Sequence, residues 1–363
     1  MRNKVVPFIL IAATYIAITA SGTGPHFVKL QVPEGWPKPT YDFTRNPLSE
    51  EGIALGRQLF YDPILSADST KSCANCHLSY TAFTHVDHAL SHGIHDSIGT
   101  RNSMTLVNLA WSKSFMWDGA VNHLDMQALA PISNRAELGE SMAGVVKKLE
   151  RSPEYRERFQ AVFGKKVSGE TVLKAMAQFE LTLISSGSKY DQMMRHEEGA
   201  VFNVQEQHGY ALFQAHCNSC HREPLFTSGA FANNGLPIDT LLKDTGRMHI
   251  TGDPQDSLKF KVPSLRNVEF SGPYMHDGRF KKLAQVVAHY SDGIQHGPTL
   301  APVLEQKIDL GSEDKVDLVA FLLTLTDEPF LFAPEHAFPR KETAVRRNDA
   351  TMSSNTTNPD ETR

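Results

Sequence analysis

A mainly α-helical fold of two tandem domains is predicted by three observations. Two Cys-x-x-Cys-His segments, Cys73–His77 and Cys217–His221, use all four cysteines of the chain. The residues around these segments form an internal repeat. Apolar residues recur at helical spacing over 141–163, 170–184 and 313–325, while strand patterns are few.

The Cys-x-x-Cys-His spacing offers two thiols to a haem's vinyl groups and the next imidazole, His77 or His221, to its iron. A zinc site is the rival reading of Cys73, Cys76, Cys217 and Cys220. Zinc ribbons space their pairs by a few tens of residues, and zinc gives no reason for a histidine after each pair. The fold class is therefore two tandem c-type cytochrome domains, each wrapping one covalently attached haem.

The elements follow in chain order. Residues 1–22 read as an export signal: Arg2 and Lys4, an apolar run of about 16 residues, then Ala20, Ser21 and Gly22. The run is interrupted by Thr14 and Thr19 and is short for a membrane span, so no stable span is expected in the mature form. Covalent haem attachment outside the cytoplasm agrees with export, and a periplasmic location is expected. Residues 23–47 carry five prolines and read as an extended surface arm. The first haem domain is expected over 48–200, opening on a helix that Ser49 caps. The second is expected over 201–335, with 222–262 as a Gly-rich loop excursion. A polar disordered tail is expected over 336–363. The net charge of −5 falls to −7 once Arg2 and Lys4 are removed, which gives no footing for nucleic acid.

The repeat pairs Gly56-Arg-Gln-Leu-Phe60 with Gly209-Tyr-Ala-Leu-Phe213, Arg101-Asn102 with Arg266-Asn267, and Met116-Trp-Asp-Gly119 with Met275-His-Asp-Gly278. The repeated arginines Arg101 and Arg266 are counted with the cofactor-binding residues. Trp117 and Leu124 are seven residues apart, as are His276 and Leu283. Leu283, Val286, Val287 and Tyr290 share one helix face, so Tyr290 points inward. Its hydroxyl is either a ligand of the second iron or a core group bonded to a carbonyl. Its counterpart in the first half is Pro131, which has no atom to bind iron. One closed iron and one open iron follow if both positions face their haems. An open haem that activates peroxide needs an acid–base group nearby. Glu137 and Gln127 are the candidates, against a solvated-surface reading for Glu137. Trp117 is a candidate electron carrier between the haems, or a core aromatic.

Several stretches then resemble the bacterial di-haem cytochrome c peroxidases, in their MauG-like branch. They are Gly99–Trp111, Phe115–Gly119, Pro131–Gly139, Val262–Asn267 and Gly272–Phe280, within about 48–335. The resemblance implies that His77 and His221 are proximal ligands, Glu137 the distal acid–base group and Trp117 the bridging tryptophan. It implies a calcium ion held by Asn102, Ser271 and Pro273, the last two through backbone carbonyls. Tyr290 falls where ordinary members place a methionine ligand, which is the MauG-like feature. Met275 is the competing sixth ligand. Ordinary members also carry a distal histidine in the loop before Arg-Asn. Here that loop holds His85, His88, His92 and His95 and is longer, with His92 the nearest match. Ala120 replaces a frequent arginine, and no tryptophan follows Trp117.

The expected activity is a peroxidase. It reduces hydrogen peroxide at the first haem with electrons relayed through the second from a small periplasmic cytochrome c or cupredoxin. The alternatives are a MauG-type enzyme that oxidises side chains of a partner protein, as in quinone cofactor maturation, and a non-catalytic di-haem electron carrier.

Overall fold

The structure is a computed structural model and describes residues 24–339. The expected export signal and the chain beyond 339 lie outside the described residues. The fold is mainly helical, as the periodicity predicts. The first half contains α1 (Glu50–Tyr61), the short α2 (Leu129–Ser133), α3 (Met142–Arg151), α4 (Pro153–Phe163) and α5 (Gly169–Leu181). The second contains α6 (Lys189–Met194), α7 (Val204–His216), α8 (Met248–Thr251), α9 (Leu283–Ala288), α10 (Ser312–Leu323) and α11 (Glu328–Leu331). One two-residue antiparallel pair, β1 (Phe231–Ala232) with β2 (Phe260–Lys261), interrupts the expected excursion over 222–262.

Ser49 caps α1 as expected, its side chain accepting from the Gly52 N–H. The periodic stretch 141–163 is two helices. Pro153 cannot continue the hydrogen-bond ladder of α3, and Ser152 caps α4 from the Tyr155 N–H.

Each core is built on one helix crossing, α1 on α5 and α7 on α10. The glycines of the repeat explain both. A Cβ on Gly56 would collide with the Ala175 carbonyl, and one on Gly209 with the Asp317 carbonyl. The repeated Leu-Phe pairs follow these glycines inward, and Leu59, Phe60 and Phe213 are fully buried.

The repeat is also visible in backbone shape. Bridges Phe115–Val121 and Tyr274–Phe280 enclose Met116 and Met275, whose φ values are 68° and 73°. Upstream, the structure corrects the expected register. Asn267 matches Asn108, not Asn102. Asn108 and Asn267 both sit eight residues before the methionine with φ of 57°, and both are buried. Their N–H groups donate to the Leu183 and Leu325 carbonyls respectively.

The halves interleave at their ends. Tyr190 of α6 joins the second core, whereas Phe330 and Leu331 of α11 return to the first. The expected division at 200 is thus a division of sequence that packing crosses. The chain stays ordered past 336. His336 is buried against Phe83 and Phe330, and Arg57 donates to the Pro334 and Ala337 carbonyls. Residues 336–339 are therefore packed against the first half and are not part of a disordered tail. The Pro-rich arm runs over both halves, with Trp36 against Trp111 at 5.1 Å and the Arg266 guanidinium 4.6 Å from the Trp36 ring centre.

Candidate active site

Two cavities contain the Cys-x-x-Cys-His segments. Cys73, Cys76 and His77 line the first; Cys217, Cys220 and His221 line the second. None of the four thiols is in a disulfide. His77 Nδ1 lies 2.6 Å from the Phe83 carbonyl. His221 Nδ1 lies 3.2 and 3.1 Å from the Phe226 and Pro263 carbonyls. Each carbonyl accepts a hydrogen bond from Nδ1–H, which leaves Nε2 to ligate. Burial lowers both imidazoles, His221 to about 4, so both are neutral and ligand-ready near neutral pH. Paired thiols and an oriented neutral imidazole in each apolar cavity fit a covalent haem.

The first cavity also takes Gln127, Pro131 and Glu137 into its wall. These three come from the segment around α2, where Ala128 and Ile132 anchor the turn in the core. Burial raises the Glu137 carboxyl, partly offset by a 2.7 Å bond from the Asn134 amide to its Oε1. His92 does not line this cavity. Its ring packs on His88 at 4.3 Å, which stacks in turn on His85 at 5.3 Å.

Leu283, Val286, Val287 and Tyr290 all line the second cavity, on the face the periodicity picks out. Tyr290 lies in a wider turn, His289–Gly293, that continues α9. Burial pushes its hydroxyl up to about 12. Met275 lines the same cavity, and the Asn234 amide reaches both side chains, 3.5 Å to Tyr290 Oη and 3.6 Å to Met275 Sδ.

First-half residues close the second cavity. Asn102 and Trp117 line it beside Ser271, Pro273 and His276. The Trp117 indole donates to the Asn102 carbonyl at 2.9 Å, and the Asn102 N–H donates to the His276 carbonyl at 2.7 Å. The three residues expected at calcium thus all line this cavity.

The arginines have another task than the one expected. Arg266 is fully buried and spends its guanidinium on Asp191, at 2.7 and 2.8 Å, and on the Pro224 carbonyl. Arg101 pairs with Asp118 at 2.5 Å and with Asp244 at 2.6 Å, joining the halves. Neither lines either of these two cavities. Sequence reading also missed Asn234, Asn134 and Glu180. Glu180 is buried on α5 and lines the first cavity, and its Oε2 has no hydrogen-bond partner among the described residues. Nothing in its local sequence pattern distinguishes it.

Two such sites on a duplicated helical fold define a di-haem c-type cytochrome. The model of the di-haem cytochrome c peroxidase family matches residues 50–199, and that of cytochrome c matches 206–326. The chain is 35% identical over 310 residues to the methylamine utilization protein MauG of Methylorubrum extorquens, covering 82% of this chain and 83% of that protein. It is 34% identical over 289 residues to the cytochrome c551 peroxidase of Nitrosomonas europaea, covering 78% and 82%. A solved MauG-like protein associated with microbial copper homeostasis superposes with a TM-score of 0.78 at 33% identity, covering 86% of this chain and 99% of that one. The chain belongs to the di-haem cytochrome c peroxidase (MauG) family. It is an oxidoreductase of the cytochrome c peroxidase type, and its two cytochrome c domains imply two c-type haems. Among the described residues no helix is long and apolar enough to cross a membrane.

Proposed function

We propose that the protein reduces hydrogen peroxide in the periplasm, at the first haem, with electrons that a small cytochrome c or cupredoxin delivers through the second. The observation that carries this reading is Glu137, a carboxyl raised by burial in the cavity of His77 and Pro131. A haem bound here would supply the redox equivalents, and Pro131 in the cavity wall offers no atom that could bind its iron. Cys73 and Cys76 bind its edge and His77 Nε2 holds its iron. Glu137 takes a proton from one peroxide oxygen and returns it to the other, and Gln127 orients the molecule. Trp117 passes electrons from the second haem, held by Cys217, Cys220, His221 and Tyr290. Asn102, with the Ser271 and Pro273 carbonyls, holds one calcium ion across the seam. Residues 1–22 export the chain.

The test is stopped-flow mixing of the diferric holoprotein with peroxide. Glu137→Gln should react about 10²–10⁴-fold more slowly with both haems retained. An unchanged rate removes Glu137 from the chemistry.

Tyr290 in the second cavity favours a second reading, oxidation of side chains on a partner protein, the chemistry of a MauG-type enzyme. An anionic oxygen ligand favours high oxidation states and disfavours electron entry. Rapid peroxide-driven oxidation of a reduced small cytochrome or cupredoxin supports the first reading. A long-lived oxidised protein that ignores such donors supports the second.

A further inference from the structure

Glu180 has no place in the chemistry above, yet its carboxyl sits in the wall of the first cavity. It is 2% exposed, on the last turn of α5. Its Oε2 finds no hydrogen-bond partner among the described residues. Leaving a buried polar atom unpaired is costly, and an unpaired buried carboxylate more so. A carboxyl that persists there favours its protonated form, and its remaining partner must be something the cavity admits. Water or peroxide oxygen fits, because the haem edge bound by Cys73 and Cys76 is carbon.

We propose that Glu180 is a proton-loading site of the first haem cavity, taking up a proton as an electron arrives and releasing it as peroxide oxygen becomes water. This rests on the peroxidase reading and supplies what Glu137 does not. Glu137 moves a proton between two oxygens and leaves the count unchanged. The full reaction turns one peroxide, two protons and two electrons into two waters. The electrons come from the donor protein. One proton comes from Glu180, whose O–H bond breaks as a water O–H forms; the second comes from solvent, and a further solvent proton, relayed through cavity water, restores Glu180.

The surroundings suit the role. Burial pushes Glu180 up to about 8, and Asp125 on the adjoining turn adds to this. Asp125 is bound in turn by the Tyr41 hydroxyl at 2.5 Å. Cys73, whose thiol is consumed in the haem bond, lies within its electrostatic reach. Glu137, Lys71 and His77 line the same cavity, and none of them pairs with Glu180 Oε2. No cation holds it ionised, so its charge is free to follow that of the iron.

The test is the midpoint potential of the first haem in the holoprotein, followed by spectroelectrochemistry from pH 6 to pH 10. No peroxide or donor is present, so the result stands apart from whether the protein is a peroxidase. The wild-type potential should fall with rising pH across the range where Glu180 titrates. Glu180→Gln should lose that fall, and Glu180→Asp should keep it. A fall that survives in Glu180→Gln, or is missing from the wild type, overturns the proposal. Should Glu180→Gln fail to take up haem, oxidised-minus-reduced infrared spectra decide instead. The wild type should show a protonated carboxyl band that shifts in Glu180→Asp, and a band that does not shift overturns it.

Discussion

Glu137 and Asn134 set a pH limb that can be moved. In the proposed reaction the carboxylate of Glu137 is the form that would accept a proton from peroxide. Burial raises its pKa above the ordinary glutamate range, so the peroxide rate should rise with pH through that raised value. The Asn134 amide opposes the shift by bonding the carboxyl at 2.7 Å. Asn134→Ala should therefore carry the rate profile to higher pH while leaving its plateau in place. A profile that stays put would mean that another group controls the limb. At the second haem, Tyr290→Phe should alter the low-spin electron paramagnetic resonance signal, and Met275→Leu should leave it alone. The reverse pattern assigns the ligand to Met275. Glu180 adds a stability effect. Its folded pKa, about 8, lies above the unfolded value of a glutamate. Its contribution to stability is complete below the unfolded pKa and is lost as pH rises through the folded one. Denaturant unfolding of the holoprotein between pH 5 and pH 9 should show this decline in the wild type and a flatter course in Glu180→Gln.

At the scale of elements, the two Gly-x-x-Leu-Phe helices make matched predictions. Gly56→Ala and Gly209→Ala each drive a methyl into a backbone carbonyl of the crossing helix. Carbonyls of α5 and α10 cannot give way like a side chain, so each change should cost about 1–3 kcal/mol or more. Urea titration checks this, and a neutral result would mean that the helices can separate without loss. These glycines were legible in the sequence as a repeat, although their reason is a tertiary contact. The Cys-x-x-Cys-His segments were legible because thioether attachment needs its groups contiguous. Tyr290 was legible because helix periodicity assigns it a face. The upstream register misled because Arg-Asn occurs twice by composition, whereas the structural equivalence of Asn108 and Asn267 lies in backbone conformation. Asn234 and Glu180 could not be found from sequence. A polar side chain becomes informative only when folding buries it beside a cavity, and no local pattern records that.

The whole molecule depends on how the halves are joined, and Arg101 is the test of that join. Its guanidinium stands between Asp118 of the first half and Asp244 of the second, both largely shielded from water. Around it, the Trp117 carbonyl accepts from the Lys261 N–H, and Trp117 and Asn102 reach into the second cavity. Removing the arginine leaves two carboxylates facing each other at the seam that separates the two haems. Arg101→Ala should cost about 3–5 kcal/mol, as breaking a buried pair does. Arg101→Lys should recover only part, because a lysine cannot bond both carboxylates with a planar fork. The pH dependence identifies the cause. Burial alone would raise Asp244, but the hydrogen bond and charge of Arg101 overcome it and hold the net value below the usual aspartate range. Its stabilising contribution is present above the unfolded pKa and is lost as pH falls through the lower folded one. The gap in stability between wild type and Arg101→Ala should therefore be widest near neutral pH and close in acid, where Asp244 is protonated. Equal gaps at both pH values would mean that Arg101 acts by packing, not charge. Electron transfer gives an independent readout, because first-half residues, Asn102 and Trp117 among them, form part of the wall of the second cavity. Loosening the seam should slow equilibration between the haems after partial reduction, even at temperatures where both domains remain folded.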